Sequence, residues 1–203
     1  MEPLPLTPAD APAVIEVMCG AFEDYPVMRW CLGDPPDYPA RLRDLVGFFV
    51  QARVLRDEPM FGLREADGQL SGAAMLSWSG TTGSPPALDA AREAVWARLG
   101  PEARARYEAF GAVTRGFEAP EPHWHLNMIG VRRALAGRGR GRALLDRVHR
   151  YAAADRRALG VSLTTEMAGN VALYEHVGYW VTGRARVADA FESWGMFRAT
   201  VHV

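Results

Sequence analysis

The sequence predicts an α/β protein built on a mixed, partly antiparallel sheet with helices on both faces. Two helical patterns precede the first long strands, a tight hairpin joins two strands near residue 67, and a strand, a glycine-rich loop and a helix follow past mid-chain. Elements in this mixed order, rather than strict strand and helix alternation, do not build a purely parallel sheet. The 203 residues, 49% of them apolar, suit one globular domain over 1–203.

Leu4 to Leu6 reads as a short edge strand. Thr7-Pro8-Ala9-Asp10 then offers a capping hydroxyl, a first-turn proline and a carboxylate three residues on, so a helix starts there. Val14, Val17, Met18, Ala21 and Phe22 recur on one face, and the signal lasts until Asp34-Pro35-Pro36. From Ala40 to Arg56, Leu42, Leu45, Val46, Phe49 and Ala52 mark a second apolar stripe, with Arg41, Arg43, Asp44 and Arg53 on the wet side. Met60 to Arg64 and Leu70 to Trp78 flank Asp67-Gly68 and predict an antiparallel hairpin.

Ser79 to Pro122 reads as a helical insertion: two helical patterns split by Gly100-Pro101 and closed by Glu118-Ala-Pro-Glu-Pro. His123 to Val131 is a strand. A loop follows, then a helix bearing Leu144, Leu145, Val148, Tyr151, Ala152 and Leu159 and stopped by Gly160. Val161 to Thr165 is the next strand, Asn170 to Val177 a short helix, and Tyr179 to Val187 and Trp194 to Val203 the closing strands.

Charge narrows the function. Twenty-three cations nearly cancel 24 acidic residues, so no global field draws the chain to nucleic acid or to an anionic membrane. Every cation is arginine, which excludes a lysine Schiff base and a lysine-dependent phosphate loop. Two cysteines and the absence of a charged-then-apolar leader lead us to expect a cytoplasmic protein without a disulfide framework. No apolar run reaches the roughly 20 residues that span a bilayer. His123 and His125 form a His-x-His pair, but no third ligand has recognisable spacing, so no metal is expected.

The informative stretch is Gly137-Arg138-Gly139-Arg140-Gly141-Arg142, where a strand hands over to a helix. Glycines there let successive backbone N–H groups converge on one point at the helix N-terminus, and arginines add bidentate contacts: a cradle suited to pyrophosphate. The spacing Gly-x-Gly-x-Gly is not the dinucleotide fingerprint. A mobile turn, a solvated arginine face or a nucleic-acid patch are the competing readings, the last discounted because aromatics are not interleaved with these arginines.

Read as one unit, His125-Leu-Asn-Met-Ile-Gly-Val131, this loop and Ala143-Leu-Leu145 resemble the acyl-CoA-binding motif of the GNAT superfamily of N-acetyltransferases. Asn170-Val-Ala-Leu-Tyr174-Glu-His-Val-Gly178-Tyr179 is similar to that family's later motif, and Trp194-Gly-Met-Phe-Arg198 to its last strand. The insertion resembles that of the puromycin acetyltransferase branch. The family loop begins with Gln or Arg, and here Ala136 stands at that position.

The resemblance implies about seven strands, mostly antiparallel, with the fourth and fifth splayed around acetyl-CoA. It places the thioester arm along Ile129, Gly130 and Val131, with the Ile129 N–H polarising the carbonyl. It places the pyrophosphate at Gly137 to Arg142 and the pantetheine arm at Asn170. Tyr174 matches the general acid that protonates the departing thiolate. Members with a base on the fourth strand carry it eleven residues before the loop, which lands on His125, with His123 and Asn127 on the same strand face by alternation. Glu166, ending the fifth strand, is the reserve base.

The acceptor site implied by the resemblance draws on the first two helices, here Phe22, Asp24, Tyr25 and Trp30, with acidic and aromatic groups suited to an ammonium. Trp96, Tyr107 and Phe110 of the insertion either cover that pocket or bury on the core. The expected activity is acetyl transfer from acetyl-CoA to a primary amine of a small molecule, by direct attack in a ternary complex, without Cys19 or Cys31. The alternative is a non-catalytic CoA-binding sensor. A homodimer through the last strands is carried by the resemblance alone.

Overall fold

A computed structural model describes residues 2–117 and 119–201; Met1, Glu118, His202 and Val203 lie outside the described residues. The first half holds β1 (Leu4–Pro5), α1 (Ala11–Phe22), α2 (Pro26–Leu32), α3 (Tyr38–Leu55), β2 (Met60–Arg64), β3 (Leu70–Trp78), α4 (Pro86–Leu99) and α5 (Pro101–Thr114). The second holds β4 (Trp124–Val131), α6 (Arg140–Ala154), β5 (Gly160–Thr165), α7 (Ala168–His176), β6 (Trp180–Val187) and β7 (Phe191–Ala199).

The strands form one seven-stranded sheet in the order β1-β2-β3-β4-β5-β7-β6. Every neighbouring pair is antiparallel except β4 with β5, which is parallel. The mixed α/β architecture expected from the element order is the one observed. Apolar residues of α1 to α5 bury one sheet face, on Ala73, Met75 and Met128. Leu144, Leu145, Val148 and Ala152 of α6 bury the other, on Ala74, Leu76, Leu126 and Leu163. Truncating one such leucine to alanine costs about 2–5 kcal/mol.

A bulge at Asn127 shifts which side chains of β4 meet which core. Met75 pairs with Met128 but Leu76 pairs with Leu126, so Asn127 is the extra residue. Trp124 and Leu126 therefore join the α6 core while Met128 joins the α1 core, and Ile129 and Val131 return to the α6 side.

Several boundaries differ from expectation for physical reasons. The first helix is interrupted: a 3₁₀ turn at Pro8–Asp10 leads into α1, and Pro26, which has no N–H to donate, opens a separate α2 after an extended Tyr25. The helix carrying Leu144 stops at Ala154, because Asp155 accepts the Arg157 N–H and folds the chain into a turn. Leu159, counted as its last apolar position, is exposed instead. β7 begins at Phe191 and ends at Ala199, and the expected continuation through His202 and Val203 lies outside the described residues. Arg53 is a further correction: its side chain is only 13% exposed and faces inward rather than to solvent.

Candidate active site

Where β4 and β5 meet, only Trp124 to Leu126 pair with Val161 to Leu163. Beyond that rung β4 runs on to Val131 and β5 to Thr165 without pairing, so the two strands part. The Arg132 N–H bonds the Ser71 carbonyl on the β3 side. Two-residue alternation then turns Gly130 and Met128 toward β3 and leaves the N–H and C=O of Ile129 and Val131 facing the gap. Gly130, expected to hold the ligand, is placed differently. A Cβ there would come within 2.7 Å of the Ala21 Cβ, so this glycine lets α1 approach the sheet.

The loop after β4 has the geometry of an anion cradle. Gly137 and Gly139 adopt φ of 74° and 75°, and Gly139 caps α6. A Cβ added at Gly137, Gly139 or Gly141 would meet nothing within 4 Å, so the cradle is open. The first-turn N–H groups of α6 point out of the helix end. The arginines divide. Arg140 is spent on Glu65 by two bonds of 2.9 and 2.8 Å, pinning the loop to the β2–β3 hairpin and holding the Glu65 carboxyl at about 2. Arg142 pairs with Asp146 at 2.8 Å, and Arg138, which feels Glu65 only as a weaker electrostatic neighbour, makes no hydrogen bond or ion pair among the described residues.

The gap opens into a cavity of about 1320 Å³ lined by Ile129, Glu166, Asn170 and Tyr174 at one end and by the inserted helices at the other. Tyr174 is buried against Tyr179, ring centroids 5.5 Å apart, and burial followed by the Glu166 charge pushes its phenol up to about 12. The Asn170 amide donates to Thr165 Oγ1 at 3.2 Å. Burial lifts the Glu166 carboxyl to about 7, against hydrogen bonds from Ser193 and Tyr25. His125 goes the other way. Burial, then His123 and Arg53, depress it to about 4, and its Nδ1 lies 2.8 Å from Ser162 Oγ. His123 is turned to the Pro120 carbonyl at 3.0 Å.

The profile of the acetyltransferase (GNAT) family matches residues 22–179. The chain belongs to this family. Solved structures agree on the fold. A Corynebacterium glutamicum protein described as histone acetyltransferase HPA2 and related acetyltransferase is 18% identical, with a TM-score of 0.71 over 100% of this chain and 97% of that one. The C-terminal condensation domain of Ebony in complex with beta-alanyl-dopamine is 14% identical, with a TM-score of 0.66 over 98% of both chains. The ribosomal-protein-S18-alanine N-acetyltransferase from Escherichia coli is 15% identical, with a TM-score of 0.58 over 99% of this chain and 94% of that one.

In this GNAT chain the predicted acceptor residues separate. Phe22 and Tyr25 line the cavity, their rings 4.8 Å apart. Asp24 sits outside it, held by Arg29 at 2.9 Å and Arg133 at 2.7 Å, and Trp30 packs edge-on against Phe191. The Asp24 carboxylate is thus already paired with two arginines. Trp96, Tyr107 and Phe110 all line the cavity and also pack on the α1 core, so the two expectations are met by the same residues. Cys31 also lines it, with a thiol that burial pushes up to about 12.

Tyr25, expected at the acceptor site, also braces the GNAT site. Its Oη lies 3.1 Å from Thr165 Oγ1 and accepts the Glu166 N–H at 3.1 Å, so the turn between α1 and α2 is tied to the end of β5. Ser193 is a bracing residue that the sequence did not reveal. Ser193, fully buried, donates to Glu166. Its sequence signal is a lone small hydroxyl between Phe191 and Trp194, ahead of the apolar run that marks the strand. Among the described residues no cluster of three metal-ligating side chains occurs, and no helix is long and apolar enough to cross a membrane.

Proposed function

We propose that this family member transfers an acetyl group from acetyl-CoA to the primary amine of a small molecule, by direct attack in a ternary complex. Acetyl-CoA supplies the activated thioester. What carries the reading is that Glu166 and Tyr174 face one cavity at the parting of β4 and β5, with opposite proton roles suited to neutral pH. Glu166, near 7, takes the proton from the ammonium. Tyr174 keeps its proton until the thiolate leaves. The Ile129 N–H supports the carbonyl oxygen from the gap. Gly137, Gly139, Gly141 and Arg138 hold the pyrophosphate, and Asn170 the pantetheine arm. Glu166 replaces His125 as the leading base, because an imidazole depressed to about 4 is a weak proton acceptor at pH 7.

The acceptor class rests on this chain's own cavity, since the fold neighbours are named for different acceptors. Helices α4 and α5 wall the cavity with Trp96, Tyr107 and Phe110, which favours a compact aromatic molecule over a protein tail. The insertion's resemblance to the puromycin acetyltransferase branch agrees. A tuned carboxylate and a buried phenol in one cavity favour an enzyme over a CoA sensor. The same reading takes residues 1–203 as one cytoplasmic domain, with neither nucleic acid, membrane nor metal as partner and a homodimer through β6 and β7. Its test is amine-dependent thiol release from acetyl-CoA, with acetyl-CoA binding measured in the same preparation. Binding without release from a broad amine panel would leave the sensor, and no binding would end the CoA assignment.

A further inference from the structure

The far arm of the cavity is basic as well as aromatic. Arg53 and Arg56 lie at the C-terminal end of α3, Arg92 on the N-terminal half of α4 and Arg115 just past α5, and all four line the cavity. The antiparallel α4 and α5, with the Trp96 and Tyr107 rings tilted against each other at 5.1 Å, bring these positions to one end of the helical layer. Two of the four are neutralised. Arg53 lies 2.9 Å from Glu58 and also donates to Asn127 of β4, and Arg92 pairs with Asp89 at 2.6 Å. Arg56 donates to the Gly83 carbonyl at 3.1 Å and feels Glu58 and Asp89, each already ion-paired to another arginine, only as weaker electrostatic neighbours. Arg115 has no carboxylate partner among the described residues.

Other carboxylates only partly offset this excess. Glu108 is taken by Arg104 at 2.9 Å, Glu166 lies at the reacting end, and Glu121, beside His123, offsets one of the two remaining charges. An ammonium confined to this arm would meet an excess of guanidinium charge, whereas an anion would find two guanidinium groups that form no ion pair among the described residues and are able to bind it bidentately. Phe48, Phe49 and Phe110 line the same cavity and suit a flat ring.

We propose that the acceptor is an aromatic amine that also carries an anionic group remote from its nitrogen, held by Arg56 and Arg115. This rests on the acetyl-transfer reading only in calling the occupant an acceptor. The amine reaches Glu166, the ring spans the aromatic stretch and the anion ends among the arginines. An α-carboxylate fits less well, because it would sit beside Glu166.

The test compares 4-(2-aminoethyl)benzoate with its neutral isostere 4-(2-aminoethyl)benzamide, by isothermal titration of the protein saturated with CoA and by thiol release with acetyl-CoA. The benzoate is expected to bind at least about tenfold tighter, as a charge-assisted pair implies. Arg56→Gln and Arg115→Gln should each cut that preference severalfold, and Arg150→Gln, on the exposed face of α6, should leave it unchanged. Equal binding, tighter binding of the benzamide, no binding of either, or a preference insensitive to Arg56 and Arg115 overturns the inference. Preferential binding of the benzoate without thiol release from any amine would sink the transferase reading and leave the anion site standing.

Discussion

Ser193 Oγ on β7 donates to Glu166 Oε1 at the end of β5, 2.8 Å away. The bond spans the only side of β5 that stays paired where β4 turns away. It fixes the carboxyl's direction while burial sets its proton affinity. Glu166 is thus a group held still at the point where the sheet opens.

Replacing this carboxyl tests the base directly. Glu166→Gln should lower kcat by roughly 10²–10⁴-fold, the usual range for loss of a general base. In the wild type, kcat/KM should rise with pH through an inflection near 7, and the variant should lose that limb. A pH–rate series on both proteins decides, and an unchanged inflection in the variant would assign it elsewhere.

The same carboxyl leaves a mark on stability. Its native value of about 7 lies above its ordinary 4.5, so the folded state holds a proton that the unfolded chain has lost. The stabilisation is complete below 4.5 and drains away as pH rises through 7. Glu166→Gln should therefore gain on the wild type across that window, by up to about 3 kcal/mol at pH 8.5. Urea unfolding at pH 4.5 and 8.5 measures the difference, and a gain shrinking with pH would show the sign to be wrong.

His125 separates the two candidate bases. Depressed to about 4, it is already neutral at pH 7 and cannot produce an inflection there. His125→Gln should keep the inflection near 7 and retain activity within about tenfold, its remaining part being the contact with Ser162. Steady-state kinetics from pH 5.5 to 9 would expose a missing limb.

Tyr174 supplies the complementary proton. Tyr174→Phe keeps the ring that packs on Tyr179 and removes only the hydroxyl, so acetyl-CoA affinity should hold while kcat drops roughly 10²-fold. Titration calorimetry beside turnover distinguishes this from a packing defect, which would weaken both.

Gly139 tests the cradle. A side chain at its φ of 75° costs about 1–2 kcal/mol even in open space. Gly139→Ala should raise the KM for acetyl-CoA severalfold more than it changes kcat, because the distorted turn misaims the N–H groups of α6.

The hairpin, the second helix and the insertion were legible because Asp67-Gly68, the α3 stripe and Gly100-Pro101 are local signals. The loop glycines were legible for the same reason. Arg53 was not, since its neighbours on α3 read as a solvated face until α4 and α5 folded over it. Asp24 looked like a ligand group because its partners Arg29 and Arg133 are set by tertiary folding. Glu166 ranked below His125 because identity alone favours imidazole at pH 7, and burial reversed their proton affinities.

The extra residue at Asn127 gives β4 one residue of slack. Met75 and Leu76 are consecutive and already pair with Met128 and Leu126, so a chain lacking Asn127 would close into a regular ladder, with Met128 still in the α1 core, Gly130 still against Ala21 and the Ile129 N–H still facing the gap. Such a chain would lose the Asn127 side chain, which bonds Arg53 and Ser77. Loss of a residue from the regularly paired stretch 129–131 has no such outlet and would turn the strand beyond it onto the opposite faces.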